Sequence, residues 1–362
     1  MDEIFGIPTP LLFGQLLLGL INGAFYAMLS LGLAIIFGLL NIINFTHGAQ
    51  FMMGAFVAWM LLSLGSADAA RIGLALLLLP LVLLLLDWLW LKLRLARPIR
   101  LGLGVVVSAA WIAACFLENG GPVSQALGAM FPNGLSYWWA LLIGPIVVGA
   151  SGVLLERLMI AQLYKLDHLY GLLLTFGVGL IIEGIFRNEF GSSGLPYRIP
   201  PELSGAWDLG FMFMPVYRGW VVLAALILCL ATWLVIEKTR LGAYLRAATE
   251  RAELVQAFGI NVPLMITLTY GAGVALAAVG GVLAAPIYSV NPQMGVNLII
   301  VVFAVVVIGG MGSILGSILV GFGLGVVEGL TKVFWPEASA TVIFVIMAIV
   351  LLTRPAGLFG RA

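Results

Sequence analysis

Residues 41–54 read NIINFTHGAQFMMG and follow the apolar run GLINGAFYAMLSLGLAIIFGLL of residues 19–40; a second apolar run then continues to about residue 64. Asn41, Asn44, Thr46, His47 and Gln50 fall where a plain membrane helix would carry leucine. Each needs a hydrogen-bond partner if it lies in hydrocarbon, because an unpaired polar group there is costly. The stretch therefore predicts an interrupted helix whose polar groups are satisfied by protein or face a cavity.

The rest of the chain fits a membrane setting. Of 362 residues 62% are hydrophobic and only 9% charged, with a mean hydropathy of +1.16, whereas soluble domains carry about 25% charged residues. Runs of roughly 20 apolar residues recur throughout, and the short alternating segments of a transmembrane barrel are absent. The fold class is thus an all-α polytopic integral membrane protein, one transmembrane domain over 1–362. Cys115 and Cys229 lie in apolar runs without metal-ligand spacing, as small buried residues do. No metal and no cofactor is implied. The start, MDEIFGIPTP, is acidic and lacks a basic region, so the first span is expected to act as an uncleaved anchor. A net charge of +1 gives no sign of nucleic acid as a partner.

Hydropathy and loop signals place eleven spans near 12–38, 46–64, 72–91, 101–117, 138–155, 169–186, 219–236, 264–288, 297–311, 316–334 and 340–353. Twelve of the 17 basic residues then fall in one set of connections and five in the other. The richer set holds the turn KLRLARPIR (92–100), Arg157, Lys165, Lys238, Arg240, Arg246, Arg251, Arg354 and Arg361. Lys and Arg are enriched on the cytoplasmic side, which puts the N-terminus outside and the C-terminus inside. The outer stretch 187–218 is rich in Gly, Pro and aromatics, which favours an ordered cap over a bare connector.

A second interruption lies at VVVIGGMGSILGSILVGFGLG (305–325), where Gly309, Gly310, Gly312 and Ser313 break a long apolar run. Paired interruptions in the two halves of a chain point to a transport fold with discontinuous helices near the midplane. Irregular backbone is tolerated there only where protein buries it or where it lines a cavity. The plainer alternative is tight helix packing, with Asn41, Asn44 and His47 bracing the break rather than binding solute. His47 has no Ser, Cys or carboxylate at a spacing that would make it a catalytic base. His168 is expected to be solvated in a cytoplasmic loop.

The longest inner connection, 237–263, reads EKTRLGAYLRAATERAELVQAFGINVP. Leu241, Tyr244, Leu245, Ala248, Ala252, Val255 and Phe258 recur at helical spacing and form one stripe. Thr249 is placed to cap a second short helix, Glu250 and Glu253 suit its positive end, and Gly259 ends it before Pro263 opens the next span. Such an element either lies on membrane lipid or inserts its apolar face into a partner protein. No phosphate-binding G-x-x-x-x-G-K-[ST] motif occurs, and the acids in or beside the spans are few: Asp87, Glu183 and Glu328, with Glu118 and Glu156 at span ends. Energy for uphill transport must then come from another subunit.

The stretches GLINGAFYAMLSLGLAIIFGLLNIINFTHGAQFMMGAF, RAATERAELVQAFGIN, VVVIGGMGSILGSILVGFGLGVVE and RPAGLFGR together resemble the membrane subunit of high-affinity branched-chain amino acid ABC importers. The resemblance covers roughly 11–64 and 138–362. It implies a multi-pass permease of the bacterial inner membrane that is not itself an enzyme. Its implied partners are a second homologous permease, two cytoplasmic ATPases and a periplasmic solute-binding protein. It places Asn41, Asn44, Phe45, His47 and Gly48 at the family's first broken helix, and Gly309, Gly310, Gly312 and Ser313 at the second. Arg246, Ala247, Glu250, Gly259 and Ile260 fall in its ATPase-coupling loop, alongside Ala252, Val255 and Phe258 of the apolar stripe. Residues 65–137 depart from it by adding a hydrophobic pair, 72–91 and 101–117, an even number that preserves the later orientation. The family also takes up urea, amides and aromatic acids, so the solute class stays open at this point. A self-sufficient channel or carrier and a membrane-embedded enzyme are the competing classes.

Overall fold

The computed structural model describes residues 3–4, 7–40, 44–115, 121–164, 166–210 and 212–360. Asn41 lies outside them. The described residues form thirteen α-helices and two short hairpins, β1 (Glu3–Ile4) with β2 (Ile7–Pro8) and β3 (Ala206–Asp208) with β4 (Phe213–Pro215). The helices are α1 (Thr9–Leu40), α2 (Thr46–Leu62), α3 (Asp68–Lys92), α4 (Arg97–Cys115), α5 (Gly121–Met130), α6 (Tyr137–Leu158) and α7 (His168–Phe190). After them come α8 (Val216–Lys238), α9 (Arg240–Ala257), α10 (Val262–Ala284), α11 (Met294–Gly309), α12 (Ile314–Phe334) and α13 (Val342–Thr353).

Each of the eleven expected spans falls on one of these helices. Eight, namely α1, α3, α4, α6, α7, α8, α10 and α12, are long and apolar enough to cross a membrane. The other three are α2, α11 and α13, with 17, 16 and 12 residues, at or below the roughly 17 needed to cross hydrocarbon. The stretch 118–137, expected as a loop, instead carries the ten-residue helix α5.

At the centre α10 packs on α1, α2 and α6, and α1 runs antiparallel along α12. Small residues let these backbones meet. A side chain at Gly23 would run into the Phe322 backbone at 3.0 Å, and one at Gly19 would lie closer still to the Gly325 carbonyl. Toward the N-terminal end of α1 in this pair Glu328 is buried and takes hydrogen bonds from Tyr26 (2.6 Å), Lys332 (2.5 Å) and Asn22 (3.4 Å). A carboxylate in a low-dielectric interior requires such donors.

The flanks differ. α7 packs on α2 through Phe56, Phe186 and Phe190, with the first two rings 4.8 Å apart. α4 packs only on α3 and α5 among the helices it meets extensively, and Val105 and Val106 on it are exposed. Asp87 of α3 joins that flank to the core by pairing with Arg100 (2.7 Å) and Arg157 (3.6 Å). At the opposite end, residues 191–215 fold over the bundle through a short turn at Pro201–Leu203 and the β3–β4 hairpin. Tyr197 within that segment is buried, and burial together with nearby Tyr137 pushes its phenol pKa up.

Candidate translocation and coupling site

The first interruption lies deep in the bundle. Asn44, Thr46, His47 and Gln50 are all buried, and the side chains of Asn44, Thr46 and Gln50 pair with one another, as hydrocarbon surroundings demand. The Asn44 amide donates to Gln50 Oε1 at 3.3 Å, and the Thr46 hydroxyl donates to Asn44 Oδ1. The Phe45 amide donates to Thr175 Oγ1 of α7 at 3.2 Å, and the His47 amide to the Asn44 carbonyl at 3.2 Å. The Tyr270 phenol of α10 lies beside Asn44, Thr46 and Gln50. His47 Nε2 stands 3.0 Å from the Leu29 carbonyl of α1. A carbonyl only accepts, so Nε2 carries the proton there. Nδ1 has no hydrogen-bond partner among the described residues.

Depth follows from the neighbours. Leu29 precedes the end of α1 by 11 residues, about 16 Å at 1.5 Å per residue. α2 thus begins well inside the bundle, and its first turn meets the first turn of α11. A Cβ on Gly48 would lie 2.6 Å from the Gly295 carbonyl, and the Phe45 and Phe303 rings are 6.1 Å apart. The two short helices start against each other and run to opposite ends of the bundle. The segment feeding α11 is itself irregular: Leu195 and Val290 exchange two backbone hydrogen bonds of 2.8 and 3.0 Å just ahead of Asn291 and Pro292. The expected spans 264–288 and 297–311 leave a plain connection here; Pro286, Asn291 and Pro292 in an apolar context are the signal of its irregular backbone.

The second expected break has a different place. Gly309–Ser313 form a tight turn between the antiparallel helices α11 and α12, at the end of the bundle rather than at its midplane. Gly310 and Gly312 adopt φ of +99° and +87°, values that a side chain strains. Ser313 accepts from the Gly316 amide and so caps α12. The C-terminal stretch folds over this turn, with the Leu358 amide donating to the Ile308 carbonyl at 2.8 Å and Phe359 to Gly309 at 3.1 Å. Gly312 also touches Gly38 near the end of α1.

The connection 237–263 carries α9, and its stripe is not buried as one face. Gly242, Leu245 and Val255 are buried, while Leu241, Tyr244, Leu254 and Phe258 are exposed, Phe258 at 86%. Thr249 does not cap a second helix; its hydroxyl donates to the Arg246 carbonyl, and the kink falls at Arg251 (φ −146°, ψ 82°). Gly259 ends the element at φ +83°, and Asn261 caps α10 through the Leu264 amide. Ala247, Glu250, Val255 and Phe258 line an open groove of about 540 Å³, with Tyr244 and Leu254 supplying further apolar wall. Ala252 is half-buried outside that groove. Arg246 points the other way, donating to the Ile236 carbonyl at 2.8 Å. It lines a second cavity together with Gly312 and Ser313. The turn after α11 and Arg246 of α9 therefore share one cavity, whereas Asn44, His47 and Gly48 lie deeper and apart from both.

Glu156 is buried and accepts from Thr267 at 2.7 Å and Tyr164 at 2.5 Å. Burial and that bond to Glu156 push the Tyr164 pKa up. His168 opens α7 behind an Asp167 cap and is exposed.

The sequence of this bundle matches a known family. Residues 15–351 fit the model of the branched-chain amino acid transport system/permease component. The chain belongs to this family. It is 25% identical over 354 residues to the high-affinity branched-chain amino acid transport system permease protein LivH of Salmonella typhimurium, covering 96% of this chain and 95% of the relative. It is 27% identical over 352 residues to the corresponding protein BraD of Pseudomonas aeruginosa, again covering 96% and 95%. A ribose import permease protein, RbsC of Haemophilus influenzae, is 25% identical over 202 residues, 50% of this chain and 57% of that one. No solved structure matches. The permease is thus a multi-pass transport subunit of the membrane.

Proposed function

We propose that this permease carries branched-chain or other hydrophobic amino acids inward across the bacterial inner membrane. It would do so with a second homologous permease, two cytoplasmic ATPases and a periplasmic solute-binding protein. The observation that carries this reading is the α9 groove. Phe258, Leu254 and Tyr244 stand exposed beside Glu250 on an element held between the ends of α8 and α10. An exposed apolar patch on such a helix suits insertion into a protein partner. The relatives named for branched-chain amino acids supply the solute class.

In mechanism, the deep junction of α2 and α11 is the discontinuity that a transport path needs, and its polar cluster braces that junction. The turn Gly309–Ser313 joins α11 and α12 to the end of α1, so motion delivered to α9 reaches three spans together. Residues 191–215 form a periplasmic cap, and α3–α5 add a flank to the transport core. Substituting Phe258→Asp together with Leu254→Asp should leave the protein inserted, abolish copurification of the ATPase and stop leucine uptake. Copurification and uptake at the unmodified level would overturn the docking role.

A further inference from the structure

The cavity that contains Arg246 is built from parts that the transport reading assigns to different tasks. It measures about 610 Å³, inside the roughly 300–1,000 Å³ range of small-molecule sites. One wall is apolar, made by Ile35 and Phe37 of α1, Leu315 of α12 and Phe359 of the C-terminal stretch. The rim carries charges of both signs: Arg246 and Lys238 as cations and Glu237 as the carboxylate, with Arg246 Nη1 and Glu237 Oε2 3.5 Å apart. Both members of that pair are about half exposed, so an exposed ion pair of little intrinsic strength holds them. A zwitterion can replace it at small cost, its carboxylate on the Arg246 fork and its ammonium on Glu237.

From this lining we infer that the cavity is a cytoplasmic feedback site for a hydrophobic amino acid. The inference rests on the proposed transport role and adds regulation to it. The occupant would touch α9, the end of α1 and the first residues of α12 at once. Those are the parts that must shift against one another when α9 transmits motion. A ligand that fills the space in one arrangement stabilises that arrangement. Accumulated product would therefore slow further import.

The test uses the full-length chain in lipid nanodiscs without a binding protein, and leucine as the probe. Leucine should bind saturably, and isocaproate (no ammonium) and isoamylamine (no carboxylate) should each bind at least about tenfold more weakly. Glu237→Gln should weaken leucine binding by a similar factor, and Leu315→Trp should block it by filling the space. In membrane vesicles carrying the whole importer, leucine preloaded on the cytoplasmic side should lower the initial uptake rate severalfold, and Glu237→Gln should relieve this. Equal binding of all three compounds, or no leucine binding to the chain while uptake proceeds, would overturn the site and leave the transport reading intact. Absence of leucine uptake by the complete importer would overturn the transport reading itself, while binding to the nanodisc-embedded chain is read independently.

Discussion

The two interruptions of this chain look alike in sequence and differ in the folded protein. NIINFTHGAQ and VIGGMGS each stop a long apolar run. The first holds polar side chains, which pair with one another and with the Leu29 carbonyl, while the Phe45 backbone amide donates to Thr175, deep between α1, α7 and α10. The second holds glycines, and these permit a left-handed turn at the end of the bundle. Polar residues in an apolar run mark backbone that must be satisfied inside the membrane. Glycines mark backbone that turns or closely approaches another chain segment. The true counterpart of the first break is the start of α11, where Gly295 meets Gly48.

Substitutions can break this contrast. The largest effect is expected for Gly48→Val, because the added carbons would be driven into the Gly295 carbonyl. Overpacking of this kind costs about 1–3 kcal/mol or more, so both the detergent melting temperature and the yield of inserted protein should fall. A Gly48→Val protein that melts like the unmodified one would remove the tight junction from the account. Next comes Gly312→Leu, placed at φ +87°, where a side chain costs about 1–2 kcal/mol. It should leave insertion near normal and cut transport severalfold, because the turn adjoins the coupling cavity rather than the core. Loss of insertion without a specific loss of transport would place that turn with the first break.

His47 gives a finer test. His47→Leu removes the donor facing the Leu29 carbonyl and should cost about 1–3 kcal/mol for the unsatisfied buried group. His47→Gln, which can still donate, should recover most of that loss. Both should leave the apparent affinity for solute unchanged, measured as the KM of uptake. A KM raised tenfold by His47→Gln at unchanged stability would make His47 a solute ligand instead of a brace. Thr175→Val, which takes the acceptor from the Phe45 amide and a donor from the Leu172 carbonyl, should have the smallest effect, about 1 kcal/mol in stability.

Hydropathy made the spans legible because membrane helices must be apolar along their length, and every expected span lies on a helix. The helical element α9 was legible through the stop at Gly259 and the apolar repeat at Tyr244, Val255 and Phe258. Depth was not. A profile of apolar content cannot tell an end turn such as Gly309–Ser313 from a mid-bundle junction such as 285–293, since position along the membrane normal is set by packing against other helices. The kink at Arg251 and the short helix α5 escaped for a related reason. Each depends on neighbours distant in sequence more than on local propensity. Asn44 and His47 were singled out correctly as polar residues in need of partners, but only the fold shows that Leu29, Gln50 and Thr175 are near them.

The measurement that bears most directly on the central claim is leucine flux into proteoliposomes, comparing this permease alone with the assembly that adds its second permease, the ATPases, binding protein and ATP. The account predicts no flux from the chain alone and ATP-dependent uptake from the assembly, lost again in the Phe258→Asp, Leu254→Asp protein. Steady leucine flux through the chain alone, unaffected by ATP, would contradict it.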